Sequence, residues 1–265
     1  RYRRGMTIAD PVPQPDFSLT GRVAMVTGAN RGIGRDLARA MAAAGATVAV
    51  AARSLDDATA VAHQIRDAGH QATAVAMDLR SVGSIEDAVS EVEAEYGRLD
   101  ILVNNAGIGT NHDALDVTED EWDELMQVNL RGLFFACQAA GKRMVPAGYG
   151  RIVNLSSQAG QVGLVRHAAY CASKGGVDQL TRVLALEWAS SGVTVNAVAP
   201  TFIRTPGTAE RLDDPEFLAG VLARIPAGKV GTTRDVAGAV IYLASAAAAM
   251  VNGSVLTVDG GWTAQ

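Results

Sequence analysis

The chain of 265 residues is 48% hydrophobic and 19% charged, which is enough for one well-cored domain. Its net charge of −5, with no basic block beyond residues 1–4, argues against nucleic acid as a partner. No apolar run is long enough to cross a membrane. The two cysteines, Cys137 and Cys171, follow no secretory signal, so we expect free thiols and a cytoplasmic location.

Residues 1–16 are rich in basic residues and prolines, and we expect a flexible leader there. From residue 17 to 265, short apolar runs alternate with amphipathic stretches. The apolar runs predict strands at 23–27, 47–51, 72–77, 101–103, 151–155, 193–198 and 255–258. The stretches between them predict helices at 32–44, 56–68, 81–96, 118–144, 168–189 and 234–245. This alternation predicts one α/β domain with a doubly wound, seven-stranded parallel sheet and helices on both faces.

The segment 201–231 interrupts this alternation. It contains Pro206, Pro215 and Pro226, and we expect an irregular excursion there. Because it follows the carboxyl end of a predicted strand, it is placed to act as a substrate lid.

Three glycines follow the first predicted strand in the spacing Gly28-x-x-x-Gly32-x-Gly34 and open the first helix. Such a turn lets the backbone approach a pyrophosphate, and the helix N-terminus favours its negative charge. Asn30, Arg31 and Ile33 complete the turn. The alternative is an ordinary tight strand–helix turn, but the pattern favours a dinucleotide.

The second predicted strand ends without an acidic residue. An acid there would bind the ribose 2′-hydroxyl of NAD, whereas Arg53, with Arg31, can pair with the 2′-phosphate of NADP. The sequence therefore predicts NADP(H) in preference to NAD(H), unless both arginines are only solvated surface charges. Asp78, after the third strand, is placed to accept a hydrogen bond from adenine or, alternatively, to cap the helix that begins near Ser81.

Tyr170 and Lys174 lie four residues apart and share one face of a predicted helix. A neighbouring ammonium group favours the ionised phenol, so we expect the pKa of Tyr170 to fall below its usual value of about 10. A phenol tuned in this way can give or take a proton. Together with a dinucleotide, this pair indicates hydride transfer.

With these motifs the chain resembles the short-chain dehydrogenase/reductase family in its single-domain Rossmann form, over residues 17–262. Within the family, the segments Ser157-Gln158-Ala159-Gly160-Gln161 and Tyr170 to Gly175 resemble those of members that act on polyols, sugars and sugar acids, such as gluconate dehydrogenases. The motifs occur in order and at the family's intervals: Thr27-Gly28-x-x-x-Gly32-Ile33-Gly34, Asn104-Asn105-Ala106-Gly107, Asn129, Ser156-Ser157, Tyr170-x-x-x-Lys174 and Asn196-Ala-Val-Ala-Pro200.

The resemblance implies a role for each matching residue. Tyr170 would exchange a proton with the substrate, Ser157 would hold the substrate oxygen, and Lys174 would bind the nicotinamide ribose. Asn129 would anchor a water in a proton relay. Further implied cofactor contacts are Leu79, Asn105, Ala106, Gly107, Pro200, Ile203 and Thr205. One departure is Thr201, where the family usually has glycine, so we expect a differently shaped turn there.

The expected function is an NADP(H)-dependent oxidoreductase that interconverts a secondary alcohol and a ketone on a polyol, sugar or sugar acid, without a metal. The side chains expected to contact substrate hydroxyls are Gln158, Gln161, His167 and Arg204. One alternative is a reductase of 3-oxoacyl thioesters, whose acidic carrier would need a larger basic patch than Arg166 and Arg204 supply. A second is a non-catalytic dinucleotide-binding protein, which the intact Ser157, Tyr170 and Lys174 disfavour.

The two long predicted helices, 118–144 and 168–189, carry apolar residues on more than one face, and the run 251–258 near the end of the chain is also apolar. Because one apolar stripe suffices to cover a sheet, the surplus predicts a homotetramer. Family members commonly form one through two perpendicular two-fold axes. The alternative is that these residues are covered within one subunit.

Overall fold

The structure is a computed structural model in which residues 14–264 are described. Most of the predicted leader, residues 1–13, lies outside them. The seven strands of the main sheet are parallel and follow the order β3-β2-β1-β4-β5-β6-β9. Their bounds are β1 Val23–Thr27, β2 Thr47–Ala52, β3 Ala72–Ala76, β4 Ile101–Asn104, β5 Gly150–Leu155, β6 Val193–Pro200 and β9 Val255–Val258.

Nine α-helices connect and cover these strands in the described part of the chain. They are α1 Gly32–Ala43, α2 Leu55–Asp67, α3 Val82–Tyr96, α4 Glu119–Met126, α5 Leu133–Ala147, α6 Ala168–Trp188, α7 Pro206–Leu212, α8 Pro215–Leu222 and α9 Thr233–Ala244. Along residues 14–264, every helix is too short or too polar to cross a bilayer.

Two apolar layers enclose the sheet. Helices α1, α2 and α9 pack on one face, and α3, α5 and α6 pack on the other. Along β1 the side chains alternate between the layers: Ala24 and Val26 enter the first, Val23 and Met25 the second. Strands buried on both faces are apolar throughout, which explains the continuous runs in the sequence. The predicted doubly wound α/β fold is confirmed.

The long helix predicted at 118–144 is divided. Thr118 and Glu121 form a capping box that starts α4. The helix then widens into one π-helical segment, Gln127–Gly132, and continues as α5 to Ala147. Such segments inside helices are frequent at functional sites. This one carries Asn129 and presses Gly132 against Leu79, where any Cβ would overlap the Leu79 carbonyl.

The segment 201–231 is more regular than expected. Pro206 and Pro215 begin α7 and α8 instead of breaking a helix, because proline fits the first helical turn. The short strands β7 (Ile203–Arg204) and β8 (Gly231–Thr232), at the two ends of the segment, pair in parallel to form a small two-stranded sheet. The expectation of an irregular excursion is therefore wrong, although the segment lies where it was predicted, after β6.

The strand order places a crevice at one edge of the sheet. Strands β2 and β4 flank β1, so the connections from β1 and β4 leave the sheet in opposite directions. Ligands of open α/β sheets bind at such a switch point, outside the carboxyl ends of the strands. The glycine turn follows β1 here, and residues 105–107 follow β4.

Candidate active site

The glycine turn packs directly against the residues that follow β4. Gly28 has a φ of 63°, and a Cβ there would lie 2.8 Å from the Ala106 Cα. A Cβ at Gly34 would overlap the Asn105 amide and the Gly28 carbonyl. Thr27 Oγ1 accepts the backbone N–H groups of Asn105 and Ala106, each at 3.1 Å. The turn therefore needs glycines, and its contacts with the residues that follow β4 determine its shape.

Helix α1 begins differently from its neighbours. Its N-cap residue, Arg31, makes no side-chain capping bond, and the first turn contains no acid. Helices α2 and α3 are capped by the hydroxyls of Ser54 and Ser81. An uncapped N-terminus leaves its first N–H groups and its positive dipole end for an anion. The residues present therefore fit a dinucleotide pyrophosphate at this turn.

The two arginines predicted to select NADP are both exposed. Within residues 14–264, neither the Arg31 nor the Arg53 guanidinium group has a hydrogen-bond or ion-pair partner. Arg53 lies near Asp78: the hydrogen bond from Arg80 is the main cause of a lowered pKa at the Asp78 carboxyl, and Arg53 adds to the lowering. Arg80 binds Asp78 at 3.0 Å. Because Ser81 caps α3, the alternative role of Asp78 as that cap is wrong.

The predicted catalytic side chains meet where β5 approaches α6. Lys174, only 4% exposed, donates from Nζ to the Leu155 carbonyl at 2.7 Å. The same Nζ lies 5.7 Å from the centroid of the half-buried Tyr170 ring. Ser157 is buried and donates to the Gln158 side chain at 2.8 Å, and its hydroxyl lies close enough to the Tyr170 phenol to lower the pKa of that phenol. Serine, tyrosine and lysine are thus within one small cluster.

The charge states differ from the expectation. Desolvation raises the pKa of the Tyr170 phenol, and the nearby Ser157 hydroxyl only partly opposes the rise. Lys174 does not contribute, because its amine is bound to the Leu155 carbonyl. Desolvation also lowers the pKa of Lys174 to about 8. The predicted lowering of the Tyr170 pKa by Lys174 is therefore wrong: burial raises this pKa, and Lys174 is not among the groups that shift it.

Asn129 holds the loop after β4 beside these residues. Its side chain is fully buried and bonds both backbone groups of Ile108, at 2.8 Å each. Asn129 Nδ2 also approaches Ser173 Oγ at 3.3 Å, and a Cβ at Gly107 would lie 3.7 Å from Lys174 Nζ. The sequence did not predict Ser173 or the hydrogen bonds between Asn129 and Ile108. These contacts join segments that are far apart in the sequence, so no local pattern indicates them.

A family model described as "Enoyl-(Acyl carrier protein) reductase" matches residues 28–263. The chain belongs to the short-chain dehydrogenase/reductase family. It is 43% identical to a D-threitol dehydrogenase of Mycolicibacterium smegmatis, over 94% of this chain and 95% of the relative. At 39% identity it also resembles the 3-oxoacyl-[acyl-carrier-protein] reductase of Escherichia coli, over 92% and 98% of the two chains.

A solved structure of a gluconate 5-dehydrogenase from Burkholderia cenocepacia, in complex with NADP and tartrate, superposes with a TM-score of 0.92. It is 39% identical, and the match covers 95% of this chain and 98% of that one. This short-chain dehydrogenase/reductase is therefore an oxidoreductase that interconverts alcohols and ketones, and it uses a nicotinamide dinucleotide.

The turn that contains Thr201 lies between β6 and β7. Pro200 ends β6, and the Thr201 N–H donates to the Val258 carbonyl at 3.2 Å, so the turn is tied to β9. Ile203 is buried in β7, and Thr205 is the N-cap of α7. A Cβ built on Gly32 would have the Thr205 side chain as its nearest neighbour, at 4.0 Å, so this end of α7 faces the glycine turn.

The predicted substrate residues fall into two groups. Gln158 is bound to Ser157, and the His167 ring lies edge-on to Tyr170 with centroids 6.3 Å apart. Gln161 is exposed, and Arg204 is paired with Asp213 at 2.6 Å. Gln158 and His167 therefore border the cluster, whereas the guanidinium of Arg204 already has an acidic partner.

Proposed function

We propose that this dehydrogenase is NADP(H)-dependent and acts on a sugar acid or polyol. The observation that carries the proposal is the cluster of Ser157, Tyr170 and Lys174 beside an uncapped, glycine-lined helix N-terminus with two free arginines next to it. Bound NADP(H) would supply or accept the hydride. The residues proposed to hold it are Gly28, Asn30, Arg31, Gly32, Ile33, Gly34, Arg53, Asp78, Leu79, Asn105, Ala106, Gly107, Tyr170, Lys174, Pro200, Ile203 and Thr205.

Tyr170 is the proposed proton donor and acceptor at the substrate oxygen. Its raised pKa keeps the phenol protonated at neutral pH, which suits donation to a carbonyl oxygen that gathers negative charge. Ser157 donates a second hydrogen bond to that oxygen. In the oxidation direction Tyr170 must first lose its proton, so the rate of alcohol oxidation should rise with pH.

Lys174 and Asn129 are proposed to support this proton transfer. With a pKa of about 8, Lys174 is mostly charged at neutral pH and can donate to a ribose hydroxyl. Asn129 keeps the loop at Ile108 beside Lys174 through paired backbone hydrogen bonds. The water that Asn129 is proposed to anchor would link the lysine to solvent.

Polyhydroxylated substrates are favoured by the groups at the cluster. Gln158 and His167 offer polar atoms next to Ser157 and Tyr170. Relatives named for threitol and gluconate support the same class. Segment 201–231 is the proposed lid over this substrate. Gln161 and Arg204 remain proposed contacts, Arg204 only if its pair with Asp213 opens.

The 3-oxoacyl thioester alternative has less support from the charges. An acidic acyl carrier needs a basic patch near the site. Arg166 is paired with Asp113 at 3.7 Å, and Arg204 with Asp213 at 2.6 Å. Both candidate arginines are therefore already neutralised. A non-catalytic dinucleotide-binding role would leave the Ser157, Tyr170 and Lys174 cluster without a purpose.

We also propose a homotetramer in the cytoplasm. Of the surplus apolar residues, Leu133 and Leu184 belong to the core, but Leu186 on α6 is 82% exposed and Val183 41% exposed. Strand β9 forms one edge of the sheet. An exposed apolar helix face and an open sheet edge are each suited to pairing with a second copy. Two unpaired cysteines suit a reducing compartment.

A substrate panel tests the proposal. Sugars, sugar acids, polyols, diketones and 3-oxoacyl thioesters are assayed by NADPH absorbance, each with NADP(H) and with NAD(H). We expect turnover with at least one sugar acid or polyol and preference for NADP(H). Turnover confined to acyl thioesters would favour the alternative, and none with any compound would favour a non-catalytic role.

A further inference from the structure

Asp178 lies one helical turn beyond Lys174 on α6, and the proposed chemistry does not use it. Its side chain is buried, with 3% of the residue exposed. Its Oδ1 atom has no hydrogen-bond partner among the described residues. Burying a carboxylate without a full set of partners costs free energy, so its presence here needs a reason.

The carboxylate is enclosed between α6 and the turn that follows β5. A Cβ at Gly160 would lie 2.8 Å from Asp178 Oδ2 and 2.9 Å from the Lys174 carbonyl oxygen, so only glycine allows this close packing. Ser156 joins the two segments: its hydroxyl donates to the Lys174 carbonyl at 3.4 Å, and it lies close enough to Asp178 to lower the pKa of that carboxyl. The next residue in this turn is Ser157.

The charges that act on Asp178 all lie on its own helix. Burial raises the pKa of the Asp178 carboxyl, and Ser156, Arg182 and Lys174 oppose that rise. Asp178 acts on Lys174 in turn: burial lowers the pKa of the Lys174 amine, and the Asp178 carboxylate opposes that lowering.

The elements packed against α6 present uncharged groups to Lys174. They are the Leu155 carbonyl, Gly107 and the neighbouring Asn129. The Tyr170 phenol, on α6 itself, stays protonated at neutral pH because burial raises its pKa. Asp178 is therefore the negative charge, within residues 14–264, that balances the buried ammonium group.

We propose that Asp178 is a positioning residue: its carboxylate, buried one helical turn from Lys174 and packed at Gly160, balances the Lys174 ammonium group and holds the turn that carries Ser157 against α6. Among the described residues no hydrogen bond or ion pair joins the Asp178 carboxylate to the Lys174 ammonium group, so the proposed coupling acts through space. Charges in the interior are weakly screened, so they act over longer distances than at the surface. The effect on turnover rests on the proposed function, whereas the coupling of the two charges is a property of the protein without substrate.

Lysine-selective NMR of the protein without cofactor measures this coupling. The chain has three lysines, and Lys142 and Lys229 are exposed internal references. Asp178→Asn keeps the shape and an oxygen that can accept from Ser156, but removes the charge. We expect the titration midpoint of Lys174 to fall by about one pH unit, while Lys142 and Lys229 do not shift. Glu187→Gln, which removes an exposed carboxylate on the same helix, should leave all three unchanged.

The enzymatic readout is separate. In Asp178→Asn, the pH at which NADPH affinity is lost should move down by the same amount as the Lys174 midpoint. If the Lys174 midpoint shifts but neither wild type nor variant turns over any substrate, the coupling is supported and the proposed function is rejected. An unchanged midpoint in the folded variant would overturn the proposal and leave Asp178 a purely structural role.

A measurement on the wild-type protein keeps the proposal testable if the variant does not fold. Two coupled groups each report the titration of the other. The carboxyl carbon of Asp178 should therefore show a step at the Lys174 midpoint. Absence of that step would also overturn the proposal.

Discussion

Two turns at the same edge of the sheet are built in opposite ways. The glycine turn after β1 works through its backbone. Helix α1, which follows it, has no side-chain cap, and the glycines let main-chain segments pack directly against each other. The turn after β5 works through side chains: its Ser157 lies beside Tyr170 and Lys174 of α6, and burial shifts the pKa values of those two groups. The comparison indicates that cofactor affinity and proton transfer belong to separate structural elements, so mutations should separate them.

Tyr170→Phe should have the largest effect on turnover. Removal of the phenol should lower kcat at least a hundredfold, the low end of general acid–base contributions, while NADPH still binds. Steady-state kinetics and a fluorescence titration of NADPH measure the two effects. Tyr149→Phe is the matched control, because Tyr149 packs against Arg22 and Arg151 away from the site. More than about one hundredth of the wild-type rate in Tyr170→Phe would refute the assignment.

Gly34→Ala should have the converse effect. The added methyl overlaps Asn105 and the Gly28 carbonyl, so the turn must shift. We expect at least a tenfold weaker NADPH affinity and a loss of about 1–3 kcal/mol in the free energy of unfolding. Gly83→Ala, on α3 with its nearest neighbour atom at 3.8 Å, should be neutral or slightly stabilising. Equal behaviour of the two variants in urea unfolding and NADPH titration would contradict the close packing.

The paired substitution Ala52→Asp with Arg53→Ala should move cofactor preference toward NAD. The aspartate repels a 2′-phosphate and accepts from a 2′-hydroxyl, and loss of Arg53 removes an attraction. We expect the ratio of kcat/KM for NADP over NAD to fall about tenfold, which is about 1.4 kcal/mol. Arg39→Ala, an exposed arginine farther along α1, is the control. Better use of NAD than NADP by the wild type would show that Arg53 was misinterpreted.

Leu186→Glu should change assembly with little effect on the fold. Leu186 is 82% exposed, and a charge in a subunit interface disfavours association. We expect light scattering to give four subunits for the wild type and a smaller mass for the variant. Leu55→Glu, on α2 and 49% exposed, should keep the wild-type mass. A wild-type mass near one subunit would reject the tetramer, and a mass near two would leave one interface.

The sequence predicted the fold because its signals are local. Apolar runs and glycines such as Gly28 identify β1 and the turn after it, and four-residue spacing places Tyr170 and Lys174 on one helix face. The charge states could not be predicted in this way. They depend on how deeply β5 and α6 bury the pair, and on the bond from Lys174 to the Leu155 carbonyl.

The helices of segment 201–231 show a different limitation. Pro206 in the sequence favours an irregular segment, but proline both ends helices and begins them. The capping residues Thr205 and Asp214 distinguish the two cases and were present in the sequence. The pair between Arg204 and Asp213, by contrast, depends on the geometry of the finished turn.

Isotope transfer tests the central claim most directly, namely direct hydride transfer with Tyr170 supplying the proton. NADPH with deuterium at both C4 positions is incubated with the ketone of the best alcohol from the substrate panel, and the product is examined by mass spectrometry. The account predicts one deuterium on the carbinol carbon, formed in the wild type and at least a hundredfold more slowly in Tyr170→Phe. A product without deuterium, or labelling at the wild-type rate in the variant, would contradict it.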